Sequence, residues 1–182
     1  MIRSLCLILA LLTSCGTPAL AQTYDRSEFG SGWLDADRDC QNTRAEMLIE
    51  LSVAANLQLD PAGCRVIRGK WVDPYTDRTF TDAADVDIDH LVPLEWAWEH
   101  GARTWTSKQR REFANNPANL IPTDDATNSA KGSKGPDQWL PPNLAYRCQY
   151  VIRFERIALQ YKLMKPAEAG RMKKLRMSVC AS

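Results

Sequence analysis

Apolar residues first settle into helical spacing at Ala45, Leu48, Ile49 and Val53, and Thr43 with Glu46 three residues on forms a capping-box signature, predicting a helix over about 44–56. The pattern then changes period. Cys64 to Val72, the turn residues Asp73-Pro-Tyr-Thr-Asp77 and Arg78-Thr-Phe80 read as a hairpin. Asp85 to Leu91 alternates charged and apolar residues at strand period, and Pro93 requires that strand to end nearby. Short helices are expected around 95–100 and after Thr106, whose Gln109 completes a second capping box before Asn115-Asn116-Pro117 stops it. Asn119 to Pro122 reads as a returning strand. A short helix is placed within 126–136, weakened by Gly132 and Gly135. Asn143 is a cap for a long helix to about Met164, with Leu144, Cys148, Val151, Ile152, Leu159 and Leu163 expected on its buried side, and Pro166 opens a last basic helix. The sum is an α+β chain.

Residues 1–21 change that picture, since Arg3, the apolar run Leu5 to Leu12 and Ala19-Leu-Ala21 compose an export signal cleaved after Ala21. Eight apolar residues are too few to span a bilayer. Leu12-Thr-Ser-Cys15 also resembles a lipobox, so the expectation is a secreted or periplasmic protein, with a lipid anchor through Cys15 as the alternative. The remainder, 22–182, has the size of a single domain. Without the signal, six cysteines become four: Cys40, Cys64, Cys148 and Cys180. An even number in an exported chain points to two disulfides. Three pairings are open; the sequence-local one, Cys40 with Cys64 and Cys148 with Cys180, is preferred because each bond would tie down one end of the chain. A structural zinc is disfavoured by the absence of C-x-x-C and by a total of two histidines.

Charge is divided unevenly. Residues 22–100 carry 7 Lys and Arg against 16 Asp and Glu, whereas 101–182 carry 15 against 6. The second half would attract a polyanion, or else the charges are simply solvated helix faces.

The chemistry-bearing residues are Asp87-Ile-Asp89-His90, Asn119, and Asn128 with Lys131 three residues on. A strand bearing D-x-D-H, a returning strand that begins at Asn, and N-x-x-K entering a helix resemble the HNH, or ββα-metal, endonucleases in their H-N-N variant, close in core motif to the HNH domain of RNA-guided CRISPR effectors. Over a longer stretch, about 24–164, the chain resembles the exported HNH family related to the C-terminal domain of GmrSD-type restriction enzymes. Trp96-x-x-x-x-Gly101-Ala, Phe113-Ala-Asn-x-Pro-x-Asn-Leu120 and Lys131-Gly-x-x-x-Pro-x-x-Trp-Leu-Pro-Pro142 carry that likeness.

The resemblance implies a ββα-metal core at about 85–136 with flanking helices and a hairpin. His90 becomes the general base, Asn119 the brace of its loop, and Asp89 and Asn128 the metal ligands. Many relatives carry His where this chain has Asn128. A carboxylate and an amide oxygen form a hard donor pair suited to Mg²⁺ or Mn²⁺. The substrate implied is DNA, with RNA as a further candidate, and a monomer without an obligate protein partner is expected. An imidazole of ordinary pKa would make activity rise as pH passes about 6.5.

Each residue has a plainer competing role. Asn128 is a natural helix cap, Asp87 a partner for a cation or a basic side chain, and Lys131 and Lys134 either phosphate contacts or solvated lysines. Arg44 either reaches substrate or forms a salt bridge. Asp35-x-Asp37-x-Asp39 followed by Glu46 fits a structural calcium loop, except that Cys40 stands where the sharp turn needs glycine. Six tryptophans in a small domain belong mostly to the core. A non-catalytic extracytoplasmic binding or structural lipoprotein on the same core is the alternative function.

Overall fold

A computed structural model describes residues 23–181; the expected export signal, its expected cleavage point and Cys15 lie outside the described residues. Among the described residues the architecture is mixed α+β, with six α-helices and two small antiparallel sheets. Strands β1 (Gln58–Leu59), β2 (Val66–Val72) and β3 (Thr79–Asp82) form one sheet in that order. A separate ribbon pairs β4 (Asp87–His90) with β5 (Leu120–Thr123), setting Asp89 opposite Ile121 and His90 opposite Leu120.

The helices are α1 (Thr43–Glu50), α2 (Leu94–Glu99), α3 (Ser107–Ala114), α4 (Asp125–Lys131), α5 (Leu144–Gln160) and α6 (Pro166–Cys180). Among the described residues, no helix is long and apolar enough to cross a membrane. The Thr106 and Gln109 capping box of α3 forms in both directions, satisfying two orphan amides at once. The other anticipated box does not form. Asn42 caps α1 through Ala45 N, while the Thr43 hydroxyl turns back to donate to Leu34 O at 2.9 Å. That helix also stops at Glu50, short of the expected 56.

The β4–β5 ribbon contributes to two hydrophobic clusters. Ile88 and Leu120 join Met47, Leu48, Val66 and Trp71, whose indole donates to Leu48 O at 2.8 Å. Ile121, with Leu91 just beyond β4, joins Trp96, Trp98, Phe113, Tyr150 and Phe154. The face expected of α5 is borne out in part: Val151 is buried, as is Leu163 just beyond the helix, but Leu144 is 71% and Leu159 49% exposed, and Tyr150, Phe154, Ile157 and Ala158 point inward instead. Aromatic bulk decides the rotation. Tyr150 and Phe154 meet Trp139, Tyr75 and Trp96 at ring separations of 4.8–5.7 Å.

The bonded cysteines are the sequence-local pairs, Cys40–Cys64 and Cys148–Cys180. The first joins the loop before α1 to the start of β2, and the second ties α5 to the end of α6.

Candidate active site

Asp89 is buried at the centre of the ribbon, and its carboxylate is held from two directions. Lys131, the last residue of α4 and itself fully buried, places Nζ 3.0 Å from Oδ1 and 2.8 Å from Oδ2. The Tyr75 hydroxyl donates to Oδ2 at 2.8 Å. A buried carboxylate without such donors would take up a proton, because removal from water penalises the charged form. Burial pushes Asp89 up and Lys131 down from their ordinary values, and the ion pair between them opposes both shifts. Gly132 ends α4 with φ of +52°, a left-handed turn that glycine adopts without steric cost, and so leaves Lys131 at the helix terminus.

Tyr75 reaches Asp89 because its turn is anchored. Asp73, fully buried, accepts from Tyr75 N at 2.7 Å, from the Thr76 hydroxyl at 2.7 Å and from the Thr123 hydroxyl at 3.1 Å. One carboxylate thereby fastens the hairpin turn to the end of β5, immediately before α4.

His90 is also buried. Its Nε2 lies 2.8 Å from Ala114 O, and a carbonyl can only accept, so Nε2 carries the proton and the neutral ring keeps its lone pair on Nδ1. Trp33 stacks on the imidazole at 5.3 Å between ring centres. Burial pushes the His90 pKa down to about 3, with the charges of Arg26 and Lys131 acting in the same direction. The expectation of an imidazole titrating near 6.5 is therefore corrected: this ring is neutral throughout the physiological range.

Asn119 is fully buried and clamps the chain just after His90. Its amide oxygen accepts from Val92 N at 2.8 Å, its Nδ2 donates to Val92 O at 3.1 Å, and its own carbonyl accepts from Leu91 N at 2.8 Å. Asn128 is not a helix cap. Asp124 caps α4, and Asn128 lies within the helix, donating Nδ2 to Asp87 Oδ2 at 3.1 Å. A carboxylate accepts only, so this bond fixes which end of the amide is nitrogen and leaves Oδ1 on the other side.

The three expected substrate cations are engaged elsewhere. Lys131 has no solvent-accessible surface, so it acts on Asp89 and not on a phosphate. Arg44 spends Nη2 on Ala83 O and Val86 O at 3.0 and 2.9 Å, which stitches α1 to the start of β4. Lys134 is exposed but bonds back to Ala130 O at 2.6 Å. His100 stacks on Trp96 at 3.6 Å, away from Asp89 and His90 in a different hollow.

Asp89, His90 and Asn128 line one cleft of about 240 Å³, together with Tyr24, Arg26 and Glu95. The donors suit a hard divalent cation. Asp89 Oδ1 accepts a single hydrogen bond and retains a lone pair, and the amide oxygen of Asn128 is the second oxygen donor. Asp35, Asp37 and Asp39 also bring one oxygen each within 4.8 Å of one another. Their carboxylates already accept backbone amides of the same loop, as in Arg38 N to Asp35 at 2.8 Å and Gln41 N to Asp39 at 2.8 Å.

Residues 43–164 match the family of GmrSD restriction endonucleases, C-terminal domain. The chain belongs to this family. An uncharacterized secreted protein of Arthroderma benhamiae is 41% identical over 142 residues, which cover 77% of this chain and 67% of that protein. No solved structure matches the chain. Membership of the GmrSD C-terminal family points to a nuclease-type enzyme with a nucleic acid substrate and an HNH-like core, of a kind that usually employs a divalent metal. The secreted relative and the two disulfides both fit an extracellular protein.

Sequence reasoning passed over Tyr75 and Asp73. Both lie in the turn it recognised, yet nothing in a turn pattern says that a tyrosine side chain will reach a strand 14 residues away.

Proposed function

We propose that the chain is an exported, divalent-cation-dependent HNH endonuclease that hydrolyses phosphodiester bonds of DNA, and of RNA as a second substrate, with little sequence preference. The observation that carries this reading is the convergence of Asp89, His90 and Asn128 on one cleft, with the imidazole held in the tautomer a base requires. In this reading residues 1–21 are removed on export, residues 22–182 act as one domain and a monomer, and the protein is secreted or periplasmic, with Cys15 acylation as the alternative fate.

His90 Nδ1 takes the proton of a water whose oxygen forms the new bond to phosphorus. The bond from phosphorus to the 3′ oxygen breaks, leaving a 5′ phosphate and a 3′ oxygen that is protonated from solvent. Asn119 holds the loop that follows the base, so the imidazole does not swing away from Ala114 O. Lys131 and Tyr75 keep the Asp89 carboxylate ionised and fixed in direction. A Mg²⁺ or Mn²⁺ ion held by Asp89 and Asn128 would supply positive charge for the phosphate oxygens and the departing oxygen. Because Lys131 already neutralises Asp89, such an ion is expected to bind weakly until substrate phosphate adds its own oxygens.

Plasmid digestion by the purified protein with Mg²⁺, Mn²⁺ or EDTA tests the reading. Nicking should require the metal, and His90→Ala should slow it by about 10² to 10⁴. Cleavage that survives EDTA, or survives loss of the imidazole, would falsify it.

A further inference from the structure

The cleft needs a cation that meets the substrate, and Lys131, Arg44 and Lys134 are occupied with a carboxylate or with backbone carbonyls. We propose that Arg26 grips the phosphodiester at this cleft beside His90, a role that rests on the nuclease reading. Arg26 is the one lysine or arginine among the residues lining the cleft. It also lines the adjoining hollow formed with Trp33, Ala114 and Asn115, so it stands where the two meet, and His90 borders both. Its side chain is exposed and interacts with the Tyr24 hydroxyl of the same cleft, and among the described residues it forms no ion pair with a carboxylate.

The backbone carrying Arg26 is anchored, so the guanidinium is presented from a fixed base. Arg26–Phe29 is a single helical turn, capped by Asp25, which accepts from Ser27 N at 2.8 Å. Phe29 is 2% exposed and packs against Trp98 and Phe113 at about 6.2–6.4 Å between rings. On its other flank, Arg110 of α3 donates Nε to Glu28 O at 2.9 Å and Nη2 to the Glu28 carboxylate at 2.7 Å. A rigidly based guanidinium presents a planar fork of donors that matches two phosphate oxygens, which an ammonium does not. Position 26 lies outside the family match at 43–164.

The test measures binding of a fluorescein-labelled DNA duplex by anisotropy over a salt series, with EDTA present to prevent turnover, and kcat and KM in Mg²⁺. Arg26→Ala should weaken binding about tenfold and flatten the slope of log K against log salt by about 0.9, the loss of one phosphate contact. Arg26→Lys should restore the slope but only part of kcat/KM, since charge returns without the fork. Lys70→Ala, an exposed lysine of β2 outside the cleft, should leave affinity and kcat/KM as they were. Unchanged affinity, slope and kcat/KM in Arg26→Ala would overturn the proposal, as would an equal loss in Lys70→Ala. Absence of cleavage by the unaltered protein removes the nuclease reading as well, whereas cleavage indifferent to Arg26 removes this inference alone.

Discussion

Two regions of the molecule gather carboxylates, and they do so in opposite ways. The loop at Asp35, Asp37 and Asp39 crowds three of them near the surface, each bonded to amides two to five residues along the same loop. The ribbon buries one, Asp89, and surrounds it with a lysine and a tyrosine brought from 42 and 14 residues away. The loop looks more like a metal site on paper, because its acids are close in sequence. Four of its six carboxylate oxygens accept amides that shape the loop itself. At Asp89 the long-range donors fix the carboxylate and still leave acceptor capacity toward a cleft. The lesson is that ligand density along a chain says less about chemistry than the cost of keeping one charge buried and oriented.

The sharpest way to break this contrast is Lys131→Met, which leaves Asp89 buried without its cation. It should destabilise the fold by about 3–5 kcal/mol in urea unfolding. A loss comparable to that of an exposed lysine would mean that the pair is not structural.

Acid provides the next probe. The folded pKa of His90 is about 3, below the roughly 6.5 of an unfolded imidazole. Between those values the unfolded chain binds the extra proton, so stability contributed by a neutral His90 is complete above about pH 6.5 and is lost as pH falls toward 3. The difference in unfolding free energy between the native protein and His90→Gln should shrink along that path, and kcat/KM should show no step near 6.5. A pH-independent difference would contradict the neutral buried ring.

Tyr75→Phe is expected to cost about 1.5–3 kcal/mol, as befits a hydrogen bond to a charged acceptor. It should also weaken Mn²⁺ binding measured by calorimetry in the absence of DNA, a readout independent of turnover. Unaltered Mn²⁺ affinity would confine Tyr75 to packing. Replacing Asp35, Asp37 and Asp39 together by Asn should shift Tm by no more than about 2 °C and leave kcat unchanged, since amide oxygens still accept the loop's N–H groups. A much larger drop, reversed by Ca²⁺ in the native protein, would show that the loop holds an ion after all.

Much of this was legible before any coordinates. The Thr106 and Gln109 box, the Asn143 cap and the stop at Pro117 depend on neighbours within a few residues, and local chemistry decides them. The resemblance to HNH enzymes named Asp89, His90, Asn119 and Asn128, all of which lie in or beside one cleft region. What stayed hidden depends on tertiary contacts. A lysine three residues after Asn128 looks like a surface charge until α4 docks on β4 and buries it. The inward face of α5 is set by Tyr150 and Phe154 finding Tyr75, Trp139 and Trp96, partners that no helical wheel contains. Arg26 sits in a polar lead-in, and only the docking of Phe29 and Arg110 gives that lead-in a fixed place.

The Asp73 carboxylate limits where this chain can be cut. By binding Tyr75 N, Thr76 and Thr123 together, it makes the first hairpin mechanically continuous with the strand that feeds α4. A fragment starting at the ββα motif would inherit Asp89 and Asn128 but lose the phenol that steadies Asp89. A fragment meant to keep Asp89 in place should therefore begin upstream of β2, with the hairpin as its buttress.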